Sequence, residues 1–274
     1  MITTLLKHEW LRTFGLLGTI IGAAPLVVGA GILLTATGWP VISTVGMMLA
    51  VLAIGGLVPV VQLTLTVHYW RSSYSRTGYF THSLPIRGSK IYTAKLTWAV
   101  IVTLITTLVA FGLGLLFWPV AADQFDAERN PFSVLGQLWN TITEVSSPMS
   151  LTIGAVMALV LLVIWPVHYF FAASIGSETP LNRYGLGGPV LVYVGLYLVM
   201  QVVAFAGLFA IPWGIGIANG NLGVVPFNLF KEFTIGVSTT NDIMPLGFLP
   251  AIALITLVCL VRTLYSWNRK VSLV

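Results

Sequence analysis

Six long apolar runs separated by polar breaks make up most of this chain, at about 14–36, 44–67, 89–118, 151–173, 187–211 and 247–265. Each holds at least roughly the 20 residues that carry a helix across a hydrocarbon core. The pattern predicts an all-α polytopic membrane protein with six transmembrane helices in one domain, 1–274. The run 89–118 exceeds what a bilayer needs, so its first turns are expected to project into water. Pro59, just after Gly55 and Gly56, is expected to kink the second span, and Pro119 to close the third helix.

The breaks carry patterns of their own. Ile2, Leu6, Trp10 and Phe14 recur every fourth residue as an apolar stripe, beside a row of Thr4, His8 and Arg12. This predicts an N-terminal interfacial helix over 2–14, with Trp10 at headgroup depth. A charged extension of the first span accounts for the same residues. Lys7, His8, Glu9 and Arg12 interrupt the stretch, and no small-residue cleavage site is obvious after the next apolar run, so a cleavable signal is not expected. In the break 120–150, Asn130-Pro131 and Ser147-Pro148 bracket an expected short surface helix, 132–145. The segment 212–246 is too apolar for a solvated loop and too interrupted for a span. Its patch from Val224 to Phe230 suggests a re-entrant or interfacial hairpin between the fifth and sixth helices; a loop resting on headgroups fits equally.

Composition agrees. The chain has 274 residues, 57% hydrophobic and 8% charged, against about 25% charged in soluble domains. Too little polar surface exists to coat a globule in water. The single cysteine, Cys259, excludes an intrachain disulfide and a cysteine-cluster metal site.

The placement of charge matters more than the net +5. With six spans, Lys7, Arg12, Arg71, Arg76, Arg87, Lys90, Lys95, Arg183, Arg262, Arg269 and Lys270 fall on one side, against Glu9 and Glu178. Asp123, Asp126, Glu128, Glu144, Glu232 and Asp242 fall on the other, against Arg129 and Lys231. The positive-inside rule makes the basic side cytoplasmic and puts both termini there.

The densest basic stretch, 71–95, holds Arg71, Arg76, Arg87, Lys90 and Lys95 and no acid. Pro85 and Gly88 mark a turn, and Ser89 stands where an N-cap belongs. Lys90 and Lys95 then sit at the positive end of the helix, where the macrodipole disfavours them. They set topology, or they face an anionic surface or a partner.

The run Ser83, Leu84, Pro85, Ile86 and Arg87, followed by Lys90-Ile91 and Lys95-Leu96, resembles the loop between the second and third membrane helices of type-2 ATP-binding-cassette exporter permeases. The order of spans resembles that family along the whole chain, with an interfacial elbow at the start and a broken outer segment before the last helix. The inner motif matches in outline, and the loop 120–150 is longer than in many minimal members. The resemblance implies a permease half that pairs with a second copy or paralogue as a dimer. Each half would dock a separate ATPase subunit through Phe80, Ser83, Leu84, Pro85, Ile86, Arg87 and Lys90. ATP and Mg would be bound by that subunit, with no cofactor in this chain. The implied location is a bacterial plasma membrane, with membrane lipids as neighbours and no nucleic acid partner.

The residues themselves carry no catalytic set. No P-loop occurs; Gly88-Ser89-Lys90 is a fragment of one. His68 and His168 stand in the echoing runs Val67-His68-Tyr69-Trp70 and Val167-His168-Tyr169-Phe170 at the inner ends of the second and fourth spans, where interfacial histidines bonded to headgroups or backbone are the default and no metal is expected. The spans hold no acid or base at mid-membrane, so an ion-coupled carrier is disfavoured. Gln62 and Gln201 are the candidate polar contacts on a substrate path for an amphipathic or lipid-like cargo; interhelical hydrogen bonds are their plainer role. A non-transporting membrane scaffold or immunity protein that binds a partner in the bilayer fits composition and topology as well. Neither reading makes the chain an enzyme by itself.

Overall fold

The computed structural model describes residues 2–75, 78–83, 85–218, 221–230 and 243–269. Arg76, Leu84, Lys231, Glu232, Asp242 and Lys270, and much of the expected outer hairpin segment, lie outside them. Eight helices are described: α1 Ile2–Thr35, α2 Pro40–Tyr74, α3 Gly78–His82, α4 Gly88–Ala122, α5 Pro131–Val145, α6 Pro148–Ile175, α7 Gly187–Ala210 and α8 Phe248–Arg269, with a 3-10 turn at Leu181–Tyr184. Among the described residues, α1, α2, α4, α6, α7 and α8 are long and apolar enough to cross a membrane. Their surfaces match that setting. Leu26, Leu33, Val41, Leu52 and Leu108 are each more than 70% exposed, an apolar exterior that water would not support. The chain is a six-helix, multi-pass membrane protein.

Several boundaries differ from the sequence expectation. Residues 2–14 are the first turns of one unbroken 34-residue helix, about 51 Å long at 1.5 Å per residue; the chain makes no elbow at Phe14. Helix α4 continues through Pro119, where an end was expected, while Pro59 lies inside α2 as expected of a proline within that span. Pro119 costs one backbone bond near the end of α4, and the chain resumes bonding at once, with the Gln124 amide donating to the Ala121 carbonyl at 3.0 Å. Ser89 is not the N-cap. Arg87 holds that place with extended backbone and makes no side-chain capping bond, so the helix opens at Gly88. Ser147, by contrast, is a true N-cap of α6: its hydroxyl accepts from the Ser150 amide at 3.2 Å, with Pro148 at the first helical position.

The chain forms two compact units, 1–73 with 80–138, and 74–79 with 139–274. In the first, α1 packs along α4. Helices α1 and α2 close on each other at two glycines. A Cβ on Gly31 would lie 2.8 Å from the Gly46 carbonyl oxygen, and one on Gly46 would lie 2.6 Å from the Thr35 amide nitrogen. This is small-residue packing, in which backbones approach because side chains are missing.

In the second unit, α6, α7 and α8 pack on one another. Between α7 and α8 the chain is neither helical nor a plain loop. It forms strands β1 Trp213–Ala218, β2 Asn221–Pro226 and β3 Met244–Pro245 in an antiparallel sheet ordered β2-β1-β3. This small sheet is set into a chain that is otherwise helical, as the all-α expectation had it. Leu222 in β2 reaches the start of α6, its carbonyl accepting from the Ser147 amide at 3.3 Å and the Ser150 hydroxyl at 3.1 Å.

Candidate functional site

The charged end of the first unit concentrates the polar chemistry. On α4, Tyr92, Lys95, Trp98, Ala99 and Val102 recur at three- and four-residue steps, and all are buried. Helical spacing puts them on one face. Four of the five are apolar or aromatic, so the fifth, Lys95, needs a partner to be buried at all.

Lys95 finds two. Its Nζ donates to Glu9 Oε1 of α1 at 2.7 Å and to Ser72 Oγ of α2 at 2.9 Å. The Lys95 side chain is 4% exposed and that of Glu9 15%. Ser72 in turn donates to the Tyr69 carbonyl at 3.1 Å, and its own carbonyl accepts from Thr81 Oγ1 at 2.7 Å. One turn further along, Thr13 Oγ1 donates to the Glu9 carbonyl at 2.8 Å and accepts from Trp98 Nε1 at 3.0 Å. Trp10 lies against Trp98 with ring centroids 5.6 Å apart, and Tyr69 meets Tyr92 edge-on at 6.4 Å. Three long helices are therefore joined by one buried ion pair and a shell of hydroxyl and aromatic contacts. Lys95, expected to set topology or to face an anionic surface or a partner, is bonded to Glu9 within the chain. The available signal was Glu9 itself, the only acid before Asp123.

A cleft of about 690 Å³ opens beside the pair, walled by His8, Arg12, Thr81, Ile86, Ile91 and Lys95 among others. From the turn between α3 and α4, Ile86 lines the cleft and is half-buried. Ser83, Pro85 and Arg87 of the same turn, and Lys90 in the first turn of α4, are exposed. Phe80 belongs to α3, and Leu84 lies outside the described residues. The cleft joins an apolar wall to the guanidinium of Arg12, so it suits an amphipathic surface better than a small polar ligand.

The two glutamines belong to different units. Gln62, in α2, is 6% exposed, and its carbonyl accepts from Thr66 Oγ1 at 2.7 Å. Gln201 is exposed on α7. His68 and His168 are divided likewise. His168 is fully buried in the second unit, its Nε2 3.0 Å from Thr256 Oγ1, while Nδ1 has no partner among the described residues. No metal-ligand cluster occurs among the described residues. The echo of the two Val-His-Tyr runs is local: Tyr69 is buried where Tyr169 is half-buried, and His68 half-buried where His168 is buried.

A second ion pair holds the charged end of the other unit. Arg262 of α8 donates to both carboxylate oxygens of Glu178, at 2.9 and 2.7 Å, a bidentate geometry. Tyr74 meets Trp267 edge-on at 6.0 Å close by in sequence. Spacing could not foretell the pairing, because the partners lie 84 positions apart.

Compared with family models, curated proteins and solved structures, the chain matches none.

Proposed function

We propose that this chain is the membrane-spanning permease subunit of a type-2 ATP-binding-cassette exporter. It moves an amphipathic or lipid-like substrate outward, using ATP hydrolysed by a separate subunit. The observation that carries the reading is the exposed basic turn between α2 and α4, presented on a braced helix. Ser83, Pro85, Arg87 and Lys90 stand open, while α4 behind them is tied to α1 and α2 through Lys95. A surface that receives motion from a docked ATPase needs stiff backing, and a buried ion pair with aromatic contacts supplies it. In this reading the basic side is cytoplasmic, ATP and Mg sit on the partner, and two permease copies or paralogues pair in a bacterial plasma membrane.

The test is affinity purification of the tagged full-length protein from its native membrane in mild detergent, with mass spectrometry of its companions. An ATP-binding-cassette subunit is expected to copurify. The variant Leu84→Ala, Ile86→Asp, Arg87→Glu is expected to retain less of it by about tenfold or more, which corresponds to ~1.4 kcal/mol at the docking surface. If the folded wild type brings down no such subunit, the exporter reading falls.

A non-transporting scaffold or immunity protein that binds a partner within the bilayer is the second reading. Helix α7 favours it: only Gly188, Leu196 and Gly207 are buried along its 24 residues, leaving an apolar face with Gln201 on the outside of the unit. The same purification separates the two, since the scaffold should arrive with a membrane protein and no ATPase.

A further inference from the structure

Helix α5 has a second face that the proposed function does not use. On a helical wheel Phe132, Leu135, Leu138, Trp139, Ile142 and Val145 fall on one side, and Ser133, Gln137, Asn140, Thr141 and Glu144 on the other. None of its residues is buried. Phe132 is 70% exposed, Trp139 64% and Leu138 52%.

The connections decide what covers that face. Helix α4 ends at Ala122 and α6 begins at Pro148, so α5 is strung between two membrane-crossing helices. The 25 residues between them contain no further crossing helix, so both attachment points lie on the same side of the membrane. Both connectors are short and fastened. Before α5, Arg129 pairs with Asp123, with Nη2 to Oδ2 at 2.9 Å, and the Glu128 carbonyl accepts from Trp118 Nε1 at 2.9 Å. After it, Ser146 bridges to Leu222, and the Ser147 amide is bonded to the Leu222 carbonyl. A helix tied this closely at both ends cannot lift far from the bilayer, and the nearest apolar medium for its stripe is lipid.

We propose that α5 is an in-plane membrane helix, lying in the headgroup region with the Phe132–Ile142 side among acyl chains and Gln137, Asn140 and Glu144 toward water. Trp139 is the residue type that anchors at this depth. Helices of this kind usually combine apolar burial with lysines or arginines that attract anionic headgroups. Helix α5 has no lysine or arginine, and its one charge is Glu144. Its attachment is therefore apolar and independent of lipid charge.

Site-directed spin labelling of the full-length protein in nanodiscs tests this. The native thiol Cys259 is buried and is first replaced in a Cys259→Ser background. Single labels then replace Leu138 or Ile142 on one face and Gln137 or Asn140 on the other. Labels at 138 and 142 are expected to be reached by oxygen and shielded from a water-soluble nickel chelate, with the order reversed at 137 and 140. The pattern should persist when phosphatidylcholine is exchanged for phosphatidylglycerol. Nickel access on both faces would overturn the proposal, because the helix would then stand in water. Immobile labels at 138 and 142, closed to both reagents, would also overturn it, because a protein surface would then cover the stripe. A pattern that appears only with anionic lipid would remove the charge-independent part. None of these outcomes depends on whether an ATPase partner exists.

Discussion

Changing Lys95 to Met is expected to destabilise the fold by about 3–5 kcal/mol, the cost of leaving one member of a buried ion pair alone. The magnitude follows from position. Glu9, at 15% exposure, would lose the ammonium it is bonded to, and Ser72 would lose a donor. The pair Glu9→Gln with Lys95→Met removes both charges together. That double variant should recover most of the loss, since replacing a whole buried pair by neutral groups is often close to neutral. Ser72→Ala removes one hydrogen bond and should cost about 1 kcal/mol. Denaturant unfolding in detergent, followed by circular dichroism, reads all four proteins. Were the Lys95 variant to fall within about 0.5 kcal/mol of wild type, as exposed positions do, the network would be ornamental and the stiff backing of the basic turn would be lost as an argument.

Gly46→Val is the other large effect expected. The first added atom already falls 2.6 Å from both the Thr35 amide nitrogen and Leu34 Cβ, and 2.7 Å from the Gly31 carbonyl oxygen. Two of those three atoms are backbone, so no rotamer change relieves the contact and α1 must move away from α2. Overpacking of this kind costs about 1–3 kcal/mol or more, and here the upper end is expected. Gly55 in the same helix makes the control. A Cβ there meets nothing within 4 Å, so Gly55→Ala should stabilise by up to about 1 kcal/mol through helix propensity. Opposite signs for two glycines nine positions apart in one helix would tie the effect to packing. Equal effects at the two sites would mean that α1 and α2 are not in contact at Gly46.

Much of the fold was legible because its strongest signal is one-dimensional. An apolar run of some 20 residues announces a membrane helix whatever packs against it, and the six runs reappear as α1, α2, α4, α6, α7 and α8. The surface helix at 132–145 was read from the breaks at Asn130-Pro131 and Ser147-Pro148 that bracket it, and it is present as α5. Helix ends read less well. Charged residues near the N-terminus of α1 looked like a change of element, yet the helix runs through them, and Glu9 among them finds a partner in Lys95. Pro119 looked like a stop, but a proline within the last turn forfeits little.

The sheet was missed for a different reason. Trp213, Ile215 and Ile217 alternate with Gly214 and Gly216, and Asn219-Gly220 follows; period two with an Asn-Gly pair is a hairpin signature. The segment was read as a re-entrant or interfacial hairpin or a loop on headgroups, with its glycines counted only as breaks in an apolar run. The two ion pairs were beyond local pattern altogether. Glu9 and Lys95 are 86 positions apart, and only the scarcity of acids on the basic side hinted that each must be spoken for. Of the residues proposed for docking, the sequence supplied the segment, and the fold adds what stands behind it.

The second unit is cross-tied at both ends of its helices. At one end, β1 continues from α7, β3 leads into α8, and Leu222 of β2 holds the start of α6. At the other, Arg262 of α8 grips Glu178 just beyond α6, and Gly176 meets Gly188 backbone to backbone where α6 hands over to α7. Sliding α6 past α8 by one helical turn, about 5.4 Å, would have to break fastenings at both ends together. Such an arrangement resists shear within the unit, so α6, α7 and α8 are held as one block.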